Sequence, residues 1–594
     1  MSLLEIDNLS VRYGGRPAVD GVTFSIGVAE SVGLVGESGS GKSQTALAVL
    51  GLLPATAEIT GSIRFRGEEL LGAREAALDA LRATKIAMVF QDPMQALNPY
   101  VSIGAQLGRI LEHHGIAGGR AARDRVIEML ERVGLPDAAR QARAYPHELS
   151  GGMRQRAMIA SALLCGPDLL IADEPTTALD VTVQAHILDL LDELRHDTAL
   201  LLITNDLGIV AGRCERMLVL DRGRLVEQGP TRDVFATPGH EHTRALLGAA
   251  PRLDGRTADL PESPETALEI RDAHVRYESR AGQPLTAVRG VDLDARRAET
   301  VAVVGESGSG KSSLVRGALG LVPLCAGQVI YAGAELPARL GDRGKQVRAA
   351  MQLVFQDPRG SLNPQMRVAD IVAEPLAVHD SEPSRQARRE RAAAMLDKLG
   401  LGHEYLERYA HELSGGQAQR VGIARALILE PAVLVCDEAV AALDGTVREH
   451  ILELLQRQQQ ERRFTIIFIT HDLAVARSIS HQVVVMYLGE IVERSTTAKL
   501  FANPRHPYTQ ALLEAIPIAD PDNPGGRASV AGEVPSALNP PAGCAFHPRC
   551  PHAQARCASD APELREVGGS LVRCHFAEEL PEPALRATAT AAPE

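Results

Sequence analysis

Two octapeptides of this chain have the residue types and spacing to hold a string of phosphates. Gly36-Glu-Ser-Gly-Ser-Gly-Lys42-Ser43 and Gly305-Glu-Ser-Gly-Ser-Gly-Lys311-Ser312 both fit G-x-x-x-x-G-K-[ST]. Glycines let the backbone curl until successive N–H groups face inward, and a helix starting there adds its dipole. Gly36, Ser38, Gly39, Ser40 and Gly41 would form the first cradle, and Gly305, Ser307, Gly308, Ser309 and Gly310 the second. Lys42 and Lys311 would reach the outer phosphates, and the hydroxyls of Ser43 and Ser312 would ligate Mg²⁺. A chance Gly-rich turn is the plain alternative, but chance does not supply the same turn twice between a short apolar run and a helical stretch.

Further along each half, an apolar run ends in two acids: Leu-Leu-Ile-Ala-Asp173-Glu174 and Val-Leu-Val-Cys-Asp437-Glu438. Such runs read as buried strands that emerge at carboxylates. Asp173 and Asp437 would hold Mg²⁺ directly or through water. Glu174 and Glu438 would orient and deprotonate an attacking water, a contribution of about 10²–10⁴-fold.

The elements that must position these groups are written twice. VGESGSGKS, FQDP and HELSGG each occur in both halves. The step along the chain is nearly constant from Lys42 to Lys311, from Gln91 to Gln356 and from Asp173 to Asp437. Steady spacing over this length means two homologous α/β domains, each with its own core. We assign residues 1–251 to the first, 252–266 to a Pro-rich, acidic linker and 267–517 to the second. A C-terminal region, 518–594, is loop-like at its start, carries four cysteines and ends in a disordered tail. Ser31–Gly36 and Thr300–Gly305 read as the strands that lead into the phosphate cradles.

With 594 residues, 45% apolar and 23% charged, the chain is of ordinary globular composition, enough for roughly four folding units. Sixty-two Lys and Arg against 75 Asp and Glu give a net charge of −13, which opposes a sequence-independent nucleic-acid binder. An anion can still be held by backbone N–H groups on an acidic protein. No apolar run approaches the ~18 residues of a membrane span, and the N-terminus lacks a signal pattern. The chain is therefore expected in the cytosol unless partners hold it at a membrane.

Of eight cysteines, Cys165, Cys214, Cys325 and Cys436 are scattered and read as small core residues. Cys544, Cys550, Cys557 and Cys574 are crowded near the C-terminus, the last standing further off than the other three. No C-x-x-C pair is present, which weakens a zinc ribbon. Four thiolates suit either tetrahedral Zn²⁺ or an iron–sulfur cluster. His547, His552 and His575 are substitute ligands or surface groups.

Taken together, these motifs resemble the ATP-binding cassette (ABC) ATPases. The signature LSGGQ of that family is matched by Leu149-Ser150-Gly151-Gly152-Met153 and Leu413-Ser414-Gly415-Gly416-Gln417. Ser and two glycines at a helix start offer hydroxyl and N–H donors to a γ-phosphate. The resemblance implies two tandem P-loop domains, each a RecA-like core with antiparallel β and α-helical subdomains. It also implies ATP sandwiched between the phosphate loop of one domain and the signature of the other. By the same resemblance, Tyr13 and Tyr277 stack on adenine. Gln91 and Gln356 sense the γ-phosphate and its Mg²⁺ and touch membrane partners. The loops after the glutamates end in Asp180 and Asp444. His471 is the switch histidine, where the first repeat has Asn205.

FQDPMQALNP, FQDPRGSLNP, HEHTRALLGAAP (240–251), HPYTQALLEAIP (506–517) and the Cys-rich end narrow the resemblance to importers of oligopeptides and dipeptides, with two ATPase subunits fused. That branch implies a [4Fe–4S] cluster on the four cysteines, with Zn²⁺ as the alternative, in a structural role. It implies two transmembrane permease subunits, an extracytoplasmic peptide-binding protein, no nucleic acid and a peripheral place on the cytoplasmic face of the membrane. Nickel or glutathione import shares much of the pattern. A soluble twin-cassette ATPase acting on ribosomes or DNA would want a long charged linker and a basic patch, and a non-catalytic module would have lost its glutamates. Asn205 donates a hydrogen bond but carries no charge. The site of Lys42, Gln91, Asp173, Glu174 and Asn205, completed by Ser414–Gln417, is expected to hydrolyse slowly or only bind. The site of Lys311, Gln356, Asp437, Glu438 and His471, completed by Ser150–Met153, is expected to turn over. Met153 in place of Gln is expected to matter little.

Overall fold

The computed structural model describes residues 2–176, 179–195, 197–250, 263, 265–278, 284–379, 384–440, 443, 445–527, 530, 532 and 534–580. Asp444, most of the assigned linker and the tail from 581 onward lie outside them.

A strand covered on both faces needs apolar residues throughout, and Ser31–Val35, Leu169–Asp173 and Ala199–Thr204 are buried at every position. They pair in parallel, Val35 opposite Thr204 and Asp173 opposite Ile203. The six-stranded sheet runs Arg224–Pro230, Arg216–Asp221, Ser31–Val35, Ala199–Thr204, Leu169–Asp173, Ile86–Val89. This register sets Gly36, Glu174 and Asn205 just beyond the carboxyl ends of three neighbouring strands, where open parallel sheets bind ligands. The second repeat does the same, with Val304 opposite Thr470 and Asp437 opposite Ile469.

A four-stranded antiparallel sheet covers one side of each core. In the first repeat Ser2–Tyr13 lies between Arg16–Gly27 and Ala57–Phe65. Its inward residues, such as Leu4, Ile6 and Ile63, share a core with Val49 of the helix Lys42–Val49 and with Ile171 and Leu201 of the parallel sheet. The other side is helical: Ile103–His113, Gly119–Arg132 and Gly151–Leu163 pack through Leu107, Leu130 and Ile159 against Val89 and Leu170.

The C-terminal region contributes an element whose strands are too short to show an alternation. Arg565–Val567 and Ser570–Val572 form a hairpin that extends the second parallel sheet to eight strands, Val572 pairing with Glu493 of Glu490–Thr496. The same region supplies Phe546, which meets Tyr487 and Tyr508 ring to ring, the three centroids 4.7–5.4 Å apart. Cys214 and Cys436 are buried core residues as expected and Cys165 is partly so, but Cys325 is exposed and donates from Sγ to the His274 carbonyl at 3.4 Å. Among the described residues no helix is long and apolar enough to cross a membrane.

Candidate active site

Both phosphate loops curl around their own lysine. Lys42 Nζ donates to the carbonyls of Gly36 (2.7 Å) and Glu37 (2.8 Å), and Lys311 Nζ to those of Gly305 (2.7 Å) and Glu306 (2.9 Å). The curl depends on glycine. Gly36 and Gly41 have φ of 151° and 102°, and a Cβ there would lie 2.2 Å from the Leu220 carbonyl and 2.6 Å from that of Ala18. Burial lowers the pKa of Lys311, against the pull of Asp180, Glu438, Asp437 and Glu306.

Asp173 and Asp437 are buried beside these loops. Ser312 Oγ donates to Asp437 Oδ1 at 2.8 Å, and Ser43 hydrogen-bonds Asp173. Burial holds both carboxyl groups above their ordinary range, more than the serine bonds offset. Oxygen donors on charges that are costly to bury fit a hard cation such as Mg²⁺.

Glu174 and Glu438 follow on left-handed backbone, φ 45° and 48°, a conformation that costs about 1–2 kcal/mol in a non-glycine residue. Each carboxylate accepts from the glutamine of its own repeat: Gln91 Nε2 to Glu174 Oε2 and Gln356 Nε2 to Glu438 Oε2, both 2.7 Å. Glu438 Oε1 also lies 3.7 Å from His471 Nδ1. The nearby His471 imidazole lowers the Glu438 pKa despite burial. Burial opposes protonation of His471, but the adjacent Glu438 carboxylate, with Asp180 and Asp472 behind, holds the imidazole above its usual value. Tyr13 and Tyr277 stand beside the first turn of the loop helices, donating to Gln44 Oε1 (2.5 Å) and Ser313 Oγ (3.2 Å).

The two repeats face each other. A cavity of about 650 Å³ is lined by Gly36, Glu37, Ser38, Gln91, Glu174 and Asn205 of the first and by Ser414, Gly415 and Gly416 of the second. His471 reaches the same cavity. Ser414 caps its helix, accepting from Gln417 N at 3.3 Å, while Gln417 Oε1 accepts from Ser414 N at 3.0 Å. Ser150 accepts from Met153 N at 3.2 Å, and a methionine side chain cannot return the bond. Ser150, Gly151 and Gly152 do not line this cavity.

The second phosphate loop meets the first repeat through Asp180, whose carboxylate accepts from Ser307 N (2.8 Å) and Ser307 Oγ (3.2 Å). Burial raises the Asp180 pKa. Beside it, Thr182 donates to Glu306 Oε1, and the mirror contact runs from Thr446 Oγ1 to Glu37 Oε1 at 2.6 Å. The two threonines hold equivalent places and were legible in the repeat, but their partners lie in the opposite repeat and were not.

The four crowded cysteines line one small cavity together with His506, His547, His552 and His575. Burial pushes Cys544 up to about 11 and Cys550 up to about 12, with neighbouring thiols adding to the rise. All four are free thiols. Among the described residues, however, no three His, Cys, Asp or Glu side chains are disposed to hold a metal ion. The donors suit a soft metal by type, but the expected metal site is not preformed.

The sequence matches the family described as ABC transporter over residues 19–177 and 288–441. It also matches the oligopeptide/dipeptide transporter C-terminal region over 226–280 and 492–557. A protein of Agrobacterium fabrum named peptidoglycan transport ATP-binding protein YejF is 44% identical over 529 residues, covering 86% of this chain and 96% of that one. A protein of Pectobacterium atrosepticum named glutathione import ATP-binding protein GsiA is 42% identical over 562 residues, 87% of this chain and 90% of its own. The chain therefore belongs to the ABC transporter family, as an ATPase with two ATP-binding cassettes and the C-terminal region of the oligopeptide/dipeptide transporters.

Proposed function

We propose that this chain is the energy-coupling subunit of an ABC importer for oligopeptides or dipeptides. The observation that carries this reading is the oligopeptide/dipeptide C-terminal region, matched once after each cassette. In this reading ATP is held at Lys42 and Lys311, and Mg²⁺ by Ser43, Gln91 and Asp173 in one site and Ser312, Gln356 and Asp437 in the other. The metal supplies charge neutralisation on the outer phosphates. Tyr13 and Tyr277 face adenine, Ser414–Gln417 and Ser150–Gly152 donate from across the interface, and Glu438 with His471 orients water for hydrolysis. The site with Glu174 and Asn205 is proposed to be the slow one.

The partners are two transmembrane permeases and, through them, an extracytoplasmic peptide-binding protein. A groove of about 290 Å³ beside Phe355 and Leu321, 44% and 46% exposed, supports a permease contact next to Gln356. In this reading the chain sits on the cytoplasmic face of the membrane. The four-thiol cavity is the proposed place of a [4Fe–4S] cluster, with Zn²⁺ the alternative. Anaerobic purification with iron, sulfide and zinc analysis is expected to find about four irons and four sulfides per chain. One zinc without colour supports the alternative, and no metal overturns both.

Glutathione import is the second reading, favoured by the name of the Pectobacterium relative. The test is ATPase activity of the complex reconstituted in liposomes with its permeases and binding protein. Short peptides, from dipeptides upward, are expected to stimulate it. Stimulation by glutathione or nickel alone would overturn peptide import.

A further inference from the structure

Glu306, the second residue of the second phosphate loop, is 1% exposed. A buried carboxylate needs a counter-charge and full hydrogen bonding. The counter-charge comes from Arg549, whose Nη1 donates to Glu306 Oε2 at 2.7 Å and Nη2 to Oε1 at 3.0 Å, and Thr182 of the first repeat adds a neutral bond to Oε1. This two-pronged fit is specific to guanidinium. Arg549 is itself buried and lies 6.0 Å from the ring centroids of Tyr487 and Phe546. It belongs to the turn His547–Arg549 inside the four-cysteine segment, tied down by Cys544 N to the Cys557 carbonyl (2.8 Å) and His547 N to the Cys544 carbonyl (3.0 Å).

The main chain of Glu306 is part of the nucleotide site. Its N–H donates to Tyr508 Oη at 2.8 Å, and its carbonyl accepts from Lys311 Nζ at 2.9 Å and from Ser309 N at 3.1 Å. Moving the carboxylate therefore moves the lysine's anchor. In the first loop Glu37 is half-buried and takes Thr446. The short linker assigned to 252–266 leaves no room after the first cassette for a counterpart of the cysteine segment.

We propose that Arg549 is a positioning residue for the second nucleotide site, through which the fold of the four-cysteine segment sets nucleotide affinity at that site and not at the first. Without the guanidinium, the buried Glu306 charge keeps only the neutral Thr182 hydroxyl as a side-chain partner, and the loop relieves it by turning the carboxylate toward Lys311 or toward water. Either change spoils the cradle of inward N–H groups.

The test uses the intact chain and a fluorescent ATP analogue with Mg²⁺. Lys42→Ala leaves the second site to be measured, and Lys311→Ala leaves the first. Arg549→Met is expected to weaken binding about tenfold or more in the Lys42→Ala chain and less than about twofold in the Lys311→Ala chain. Adding Glu306→Gln to Arg549→Met removes the unpaired charge and is expected to bring affinity back to within about threefold, which a mere collapse of the cysteine segment would not allow. If Arg549→Met does not yield folded protein, Arg549→Lys replaces it, with a smaller loss still confined to the second site. Equal weakening at both sites, no weakening, or no recovery in the double variant would overturn the proposal.

Discussion

Glu438 lies between two partners of different kind, the Gln356 amide at 2.7 Å and the His471 imidazole at 3.7 Å. The imidazole is held above its ordinary value and the carboxyl below, so a charge on each favours the charge on the other. Glu174 has the same glutamine contact, but the corresponding position beyond its neighbouring strand is Asn205, which carries no charge at any pH. A side chain that can titrate can also pass its state to the carboxylate beside it. In single-turnover measurements Glu438→Gln is expected to slow ATP cleavage by about 10²-fold or more, and Glu174→Gln to cost less than about twofold. Equal losses would make the two sites equivalent. The loops, acids, glutamines and the Asn205/His471 difference were all legible in the sequence, because each is set by a short local motif. The contacts of Glu37 with Thr446 and of Glu306 with Arg549 were not, because pairs so far apart along the chain leave no local pattern.

Each cassette is closed by a short helix whose first residues cap on a histidine. His506 Nδ1 accepts from Tyr508 N at 3.1 Å at the start of Pro507–Glu514, as His240 does from His242 N in the first repeat. Of the two, His506 alone is fully buried, and burial pushes its pKa down to about 3, against its hydrogen bond to the Arg573 backbone. The unfolded chain takes up a proton at this histidine below about pH 6.5, while the folded chain refuses it down to about 3. Stability at this element is therefore full at neutral pH and falls as pH drops from about 6.5, by up to ~1.4 kcal/mol per pH unit. His506→Asn replaces the ring-nitrogen acceptor with a capping oxygen that cannot titrate. Urea midpoints of the intact chain are expected to fall more steeply between pH 7 and 5 than those of the variant, and parallel slopes would exclude His506 as the source. Part of the cover that buries His506 is Phe546, the two ring centroids lying 5.8 Å apart. Phe546 belongs to the loop-like cysteine segment, which carries no periodicity from which the cover could be anticipated.

At the scale of the whole molecule, the second cassette sends a strap across the first. The strap closes on itself, with Ile518 N donating to the Pro524 carbonyl at 2.6 Å and Gly526 N to that of Ile516 at 3.0 Å. It lies on the helix Leu207–Arg213, which begins just after Asn205. Arg213 Nη2 donates to the Gly526 carbonyl at 3.0 Å, and Arg527 reaches Asp189 at 3.3 Å. A Cβ on Gly208 would sit 2.7 Å from the Pro517 carbonyl group, so glycine is what lets the strap approach. These contacts run directly between protein groups, and they add to the Asp180–Ser307 and Thr446–Glu37 bonds across the interface. The two cassettes should therefore stay together without ATP even when the chain between them is cut. With a protease site placed within 252–262, the cleaved halves of the parent protein are expected to co-elute in nucleotide-free buffer. Gly208→Val, which pushes Pro517 away, is expected to release them, and Mg²⁺ with ATP to bring them back by loading the sites between the cassettes. Separation of the parent halves without nucleotide would mean that the strap does not hold the pair, and that ATP alone closes it.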